Sequence, residues 1–169
     1  MDLEKTVAQA KAGEREAQSA LYQQYFQKIY SLALGITKNP EDAMDICQET
    51  FLSAFQHLSS LRESAAFPHW LCQIAANQCR RLVKNKGRFL SPEQKEDEPD
   101  FFSSLPEDDP ETLPEQVLDK EETRRLMEET VQQLPDVQRE CVLLYYYAGL
   151  SVEEIAQVQQ CSTGTVKSR

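Results

Sequence analysis

Between Trp70 and Lys84 lies a set of side chains that could hold a single nucleic-acid strand. Trp70, Gln73, Asn77, Arg80, Arg81 and Lys84 are spaced i, i+3, i+7, i+10, i+11 and i+14, which gathers them on one side of a helix. An aromatic ring gives bases a face to stack on, amides offer hydrogen bonds, and cations neutralise the backbone. The same spacing also suits a tryptophan that completes a core beside a solvated basic face. The strip runs into "RRLVKNKGR", Arg80 to Arg88, with five positive charges and no negative one.

A second group sits near the C-terminal end of the sequence. In "LPDVQRECVLLYYYAGLSVEEIAQVQQCSTGTVKSR", Pro135 opens a helix with Val137, Cys141, Leu144 and Tyr145 on its apolar side, and Gly149 breaks it. "SVEE", Ser151 to Glu154, has the spacing of a capping box, and Ile155 and Ala156 face inward behind it. "QQCS" reads as a tight turn, after which Ser162 caps another helix. Helix, short turn and second helix make a helix-turn-helix, whose second helix enters the DNA major groove. Ser162, Thr163, Thr165, Lys167, Ser168 and Arg169 suit that role, because hydroxyls and cations serve phosphates and base edges alike. A plain helical hairpin is the competing interpretation. From Thr163 to Arg169 that helix is about 10 Å long at ~1.5 Å per residue, with Val166 as its apolar anchor. Short helices need docking for order, so weak duplex binding by this segment as it stands is expected.

A third strip comprises Asp45, Gln48, Glu49, Leu52 and Gln56, again on one helical face. Acidic and amide groups around one leucine suit a protein partner, although a solvated face has the same composition.

Catalytic chemistry finds little support. His57 and His69 have no nucleophile at a recognisable spacing, and no glycine-rich phosphate loop is present. The five cysteines, Cys47, Cys72, Cys79, Cys141 and Cys161, contain no C-x-x-C pair. His69, Cys72 and Cys79 lack a fourth zinc ligand, so the thiols read as small buried hydrophobes. No enzyme activity, metal or cofactor is expected.

Helices must position all three strips. Leu3, Val7 and Ala10 mark a first helix, and Ala17, Leu21, Tyr25, Ile29, Leu32 and Ile36 a second. The third starts at Asn39 as cap with Pro40, Glu41 and Asp42 behind it, and carries Met44, Cys47, Phe51, Ala54, Phe55 and Leu58 inward. A fourth follows Pro68 with Leu71, Ile74, Ala75 and Leu82 inward. Residues 89–115 hold five of the eight prolines and a dense acidic load, the composition of a linker. Helical patterning returns at Gln116. The expected architecture is therefore all-α: a helical domain over 1–88, a flexible acidic linker over 89–115 and a helix-turn-helix domain over 116–169.

The charge distribution agrees with that division. Glu93 to Glu122 contains thirteen acidic and two basic residues, a net of −11, against −10 for the whole chain of 169 residues. The remainder therefore sums to +1, and local fields outweigh the total. No apolar run approaches the ~20 residues of a membrane span. The polar start "MDLEKTVAQAKAGERE" lacks the apolar core of a secretory signal, so a cytoplasmic location is expected.

Together, "EDAMDICQETFLSAFQHL", "FPHWLCQIAANQCRRLVKNK" and the helix-turn-helix segment resemble the bacterial RNA polymerase sigma factors of the extracytoplasmic-function group. The resemblance spans nearly the whole chain with the segments in order. It implies a promoter-specificity subunit that docks on core polymerase through Asp45, Gln48, Glu49, Phe51 and Leu52, against the clamp helices of the β′ subunit. It implies that the fourth helix captures the melted minus-ten strand through Trp70, Gln73, Asn77, Arg80, Arg81 and Lys84. The loop from Ser60 to Phe67, with Arg62 and Ser64, would receive a flipped base. The last helix would read the minus-thirty-five element, contacts to the β flap are implied as well, and an anti-sigma factor is an expected partner. The family usually carries an acidic residue soon after the asparagine of the fourth helix; Gln78 to Arg81 has none. Its recognition helix also continues for a further turn or two, so the sequence reads as truncated there. Two rival interpretations are a stand-alone helix-turn-helix regulator, which would bind duplex DNA without polymerase, and a helical adaptor, which would bind only proteins.

Overall fold

A computed structural model describes residues 2–87 and 120–169. The linker expected over 89–115 lies outside the described residues. Among those described, every regular element is a helix and there is no strand.

The N-terminal half is a bundle of α1 (Leu3–Lys11), α2 (Arg15–Thr37), α3 (Pro40–Gln56) and α4 (Phe67–Asn85). The start of α3 follows from its sequence. The Asn39 side chain accepts from the backbone amides of Glu41 and Asp42 at 2.9 and 3.1 Å, and Pro40 occupies the first helical position. Leu21, Ile29 and Leu32 of α2, Cys47, Phe51 and Ala54 of α3, and Leu71, Ala75 and Cys79 of α4 are buried against one another. Aromatic rings fill the middle: Tyr22 lies 4.7 Å from Phe51 between centroids, and Phe67 lies 5.5 Å from Tyr25. Two short 3-10 turns, Leu58–Ser60 and Ser64–Ala66, connect α3 to α4.

Met44 departs from expectation and is exposed. The buried stripe of α3 is centred on Ala43, Ile46, Cys47, Thr50 and Phe51, so residue 44 falls on its rim.

The C-terminal half comprises α5 (Lys120–Gln133), α6 (Asp136–Val142), α7 (Val152–Gln159) and α8 (Thr163–Ser168). One π-helical turn, Leu143–Tyr147, extends α6, with the Ala148 amide bonding back five residues to the Leu143 carbonyl at 2.9 Å. The wider turn changes the helical phase. Leu144 stays in the core, whereas Tyr145, expected on the apolar side, is exposed together with Tyr146 and Tyr147. Gly149 then adopts φ 74°, a left-handed conformation that stops the helix without steric cost. The expected capping box is present: Ser151 Oγ accepts from the Glu154 amide at 3.2 Å, and Glu154 Oε2 accepts from the Ser151 amide at 2.8 Å. Gln160 caps α7 at φ 55°, and Ser162 Oγ accepts from the Thr165 amide at 3.1 Å to start α8. Val166 is buried and pins α8, as its position in the sequence requires.

Replacing Asn39 by Ala removes the acceptor for two amides at once. We expect Asn39→Ala to cost about 1 kcal/mol, seen as a lower midpoint in urea unfolding with an unchanged slope.

Candidate functional site

The acidic strip is a surface feature of α3. Asp45, Gln48, Glu49, Leu52 and Gln56 are all exposed, and Leu52 keeps 58% of its surface open to solvent. Phe51 differs. It is 2% exposed and packs between Tyr22 and Phe55, so its ring supports the strip from beneath and gives a partner no surface. Beside the strip, an open groove between α3 and α4 is bordered by Asp45, Glu49, Arg81 and Asn85 and ends at Lys86. Lys86 Nζ donates to both carboxylate oxygens of Asp42 at 2.7 Å, which anchors the end of α4 to the start of α3.

The residues expected on one side of α4 divide into two sets. Arg81, Lys84 and Asn77 are exposed, and Asn77 Nδ2 donates to the Gln73 carbonyl at 3.0 Å. Trp70 is partly buried, 6.2 Å from Phe67 between centroids and packed on the core. Arg62 is exposed and Ser64 half-buried in the turns before the helix. Gln73 and Arg80 instead point at the C-terminal half. Gln73 Nε2 donates to Glu154 Oε1 at 2.6 Å, and His69 Nε2 lies 2.7 Å from the same oxygen. Arg80 Nη1 donates to Glu140 Oε2 at 3.2 Å.

Glu140 is the centre of a polar cluster that pattern reading missed. Its carboxylate is fully buried and also accepts from Gln159 Nε2 at 2.8 Å. Gln159 Oε1 in turn accepts from Arg169 Nη1 at 2.8 Å and from the Cys141 thiol at 3.3 Å. Burial raises the Glu140 carboxyl above the usual carboxylate range, and Arg80, Gln159 and Arg169 oppose that rise. Burial likewise pushes the Glu154 carboxyl up, but hydrogen bonds from His69 and from the Ser151 amide outweigh it, so Glu154 titrates below its ordinary value.

The adjacent Arg139 is equally buried. Its Nε donates to the Gly35 carbonyl at 2.8 Å and its Nη2 to the Ile36 carbonyl at 3.3 Å, satisfying acceptors at the C-terminal end of α2. Nη2 also donates to Asp136 at 2.7 Å. Leu143 rests on Gly35, where an added Cβ would meet its Cδ1 at 2.8 Å. A charged pair, Arg139–Glu140, directly before the apolar run that ends in three tyrosines was the available signal for this junction. Periodicity says nothing about which helix receives each charge.

Within α8, Thr163, Lys167 and Ser168 are exposed. Ser162 and Thr165 bond to each other at 2.8 Å as part of the cap, and Arg169 is turned toward Gln159. Four cysteines are buried; burial pushes the Cys47 and Cys141 thiols up to about 11, so they stay protonated near neutrality. His69, Cys72 and Cys79 do not converge, and no group of three or more metal-ligating side chains occurs among the described residues.

Comparison with known proteins separates the rival readings. Residues 21–89 match the family description Sigma-70 region 2, and residues 124–169 match Sigma-70, region 4. The RNA polymerase sigma-H factor of Pseudomonas aeruginosa PAO1 is 33% identical over 165 residues, covering 96% of this chain and 85% of the relative. The chain belongs to the sigma-70 family, in its extracytoplasmic-function group. The ECF RNA polymerase sigma-E factor of Escherichia coli K12 is also 33% identical over 165 residues, with the same coverage. In fold, this sigma factor is similar to CnrH, solved in complex with the cytosolic domain of CnrY, with a TM-score of 0.57, 22% identity, and coverage of 97% of this chain and 86% of that one. As a sigma factor it is a promoter-specificity subunit of RNA polymerase, and the stand-alone regulator and the adaptor are not favoured. No helix among the described residues is long and apolar enough to cross a membrane.

The Glu140 titration gives a test. Because burial raises its folded-state pKa, the native state holds a proton that the unfolded chain has already lost, across the window between the two values. The stabilisation this group supplies is present at low pH and is lost as pH rises through the folded pKa. We expect Glu140→Gln to remove that component, so that its melting temperature falls less than the wild type's between acidic and neutral pH. Parallel melting curves across that range would exclude the assignment.

Proposed function

We propose that this sigma factor meets core polymerase through the exposed strip of α3, with Asp45, Gln48, Glu49 and Leu52 against the β′ clamp helices. Carboxylates and amides around a protruding leucine are suited to a basic, partly apolar partner helix. This strip, on the outer face of a well-packed α3, is the observation that carries the reading. Phe51 contributes by holding the helix in place.

The melted minus-ten strand is captured on α4, with Arg81 and Lys84 neutralising phosphates and Trp70, Gln73, Asn77 and Arg80 completing the track. The turns carrying Arg62 and Ser64 receive a flipped base. Region 4 reads the minus-thirty-five element through Ser162, Thr163, Thr165, Lys167, Ser168 and Arg169, and rests on the β flap. Supporting this are the two caps and the buried Val166 that present α8 as the second helix of the motif. The functional units are residues 1–88, 89–115 and 116–169, joined in that order. The sigma factor works in the cytoplasm, carries no catalytic chemistry of its own, and is held by an anti-sigma partner. The solved complex of CnrH with the cytosolic domain of CnrY supports a protein partner of that kind.

Two measurements test the assignment. Asp45→Lys with Glu49→Lys should weaken binding to core polymerase by at least about tenfold, or ~1.4 kcal/mol, while the melting temperature stays within the range of surface substitutions. Unchanged core affinity would remove these residues from the docking surface. In the complex with core, Arg81→Ala and Lys84→Ala should each reduce the salt dependence of strand binding by about 0.7 in logarithmic slope. An unaltered slope for both would place the strand elsewhere.

A further inference from the structure

The first helix, α1, precedes the residues that match region 2, which begin at residue 21. Its own sequence makes and places it. The Asp2 side chain accepts from the Lys5 amide at 3.3 Å to start the helix, and Val7 and Ala10 are buried. Gly13, at φ 89°, then turns the chain into α2. Gln18 Nε2 of α2 donates to the Ala10 carbonyl at 3.3 Å, which ties the end of α1 to the bundle. Held in this way, α1 packs against both 3-10 turns between α3 and α4.

One side chain makes that contact polar. Lys11, in the last turn of α1, donates from Nζ to the Leu61 carbonyl at 2.6 Å, across 50 positions of sequence. Leu61 is the joint between the two turns. Its amide donates to the Leu58 carbonyl at 3.2 Å, closing the first turn, and its side chain is buried. Beyond it the chain leaves the core: Arg62, Glu63 and Ala65 are exposed, Ser64 is half-buried, and Phe67 is the next buried residue. The segment proposed to receive a flipped base is therefore a bridge between two buried anchors. Phe67 is fixed by α4, which it begins. Leu61 belongs to no α-helix and is fixed by its own side chain and by Lys11.

A base pocket discriminates when its walls stay where the base needs them. A carbonyl satisfied by water turns freely with its loop. One satisfied by the ammonium of a packed helix moves only by breaking a charge-assisted bond.

We propose that Lys11 is a positioning residue for minus-ten recognition: by holding the Leu61 carbonyl it sets the loop of Arg62 and Ser64 in the shape that accepts the flipped base. The inference rests on the base-receiving role proposed for that loop. Lys11 itself touches no DNA. Its loss leaves strand capture on α4 intact and lowers the fraction of molecules whose loop is ready for the base, which reduces affinity for the preferred base in the same proportion.

The test presents the full chain, bound to core polymerase, with single-stranded DNA randomised over the minus-ten segment, and sequences the bound fraction. Arg62→Ala with Ser64→Ala identifies the position that the loop reads, as the position where the wild-type preference is lost. Lys11→Met keeps the length of the stem and removes the donor. It should lower the preference at that same position about tenfold, the scale of one hydrogen bond to a charged group, with preferences at other positions as in the wild type. Lys11→Arg, which restores a donor, should recover it. Asn39→Ala controls for stability, because it weakens the bundle at the opposite end of α3. The proposal is overturned if Lys11→Met keeps the wild-type preference, if Lys11→Arg fails to restore a lost one, or if Asn39→Ala lowers it equally. A preference lost in the loop variant yet kept in Lys11→Met defeats the brace alone. A wild type without preference, or a loop variant that changes none, defeats the base-receiving loop first and the brace with it.

Discussion

Two adjacent residues of opposite charge, Arg139 and Glu140, lose essentially all contact with water in this fold. Removing a charge from water is tolerated only where donors or acceptors replace the solvent, and that requirement fixes how the two halves meet. Successive residues on an α-helix point about 100° apart. Arg139 therefore reaches the end of α2 while Glu140 reaches α4, and α6 can satisfy both in one orientation on the bundle. Such a junction contributes orientation more than strength, because desolvation offsets much of the attraction within each pair. Glu140 Oε1 is buried without a hydrogen-bond partner, so part of the cost of desolvating this carboxyl is left uncompensated.

The bundle of the first half depends on different physics. Its core is apolar and aromatic, and the stripes of α2, α3 and α4 are buried without charges in their centres. That core leaves the outer faces of α3 and α4 free to carry acidic and basic groups in separate strips. Region 4 is smaller and leans on local devices: a capping box, a left-handed glycine, a left-handed Gln160 and a serine cap. These determine the path of the chain through the helix-turn-helix before packing contributes.

Much of the fold was legible because its signals are local. Asn39-Pro40, Ser151 to Glu154, Gly149 and Ser162 each set a helix end through hydrogen bonds within a few residues. Inward positions such as Leu21, Ile29, Ile155 and Val166 follow from spacing alone. Residues at the edge of a stripe were less legible. Met44 and Tyr145 fit the apolar spacing yet face outward, the first at the rim of its stripe, the second because a π-helical turn shifts the phase. Phe51 shows the converse: the family resemblance implied a docking role, and packing places the ring inside. For Trp70, the two readings of the sequence meet, since the ring packs on the core and still retains a partly open face.

By itself the sequence determined the helical class, the order of the elements, the family, and which residue types lie on the outer faces of α3, α4 and α8. All of that information is carried by short spacings and by side chains that cap their own helices. The tertiary structure alone decided the pairings across the halves: Arg80 with Glu140, Gln73 and His69 with Glu154, and Arg139 with the end of α2. These join residues 60 to 104 positions apart, a range over which no periodicity extends. They are set by which charges must find a partner when the two halves close on each other.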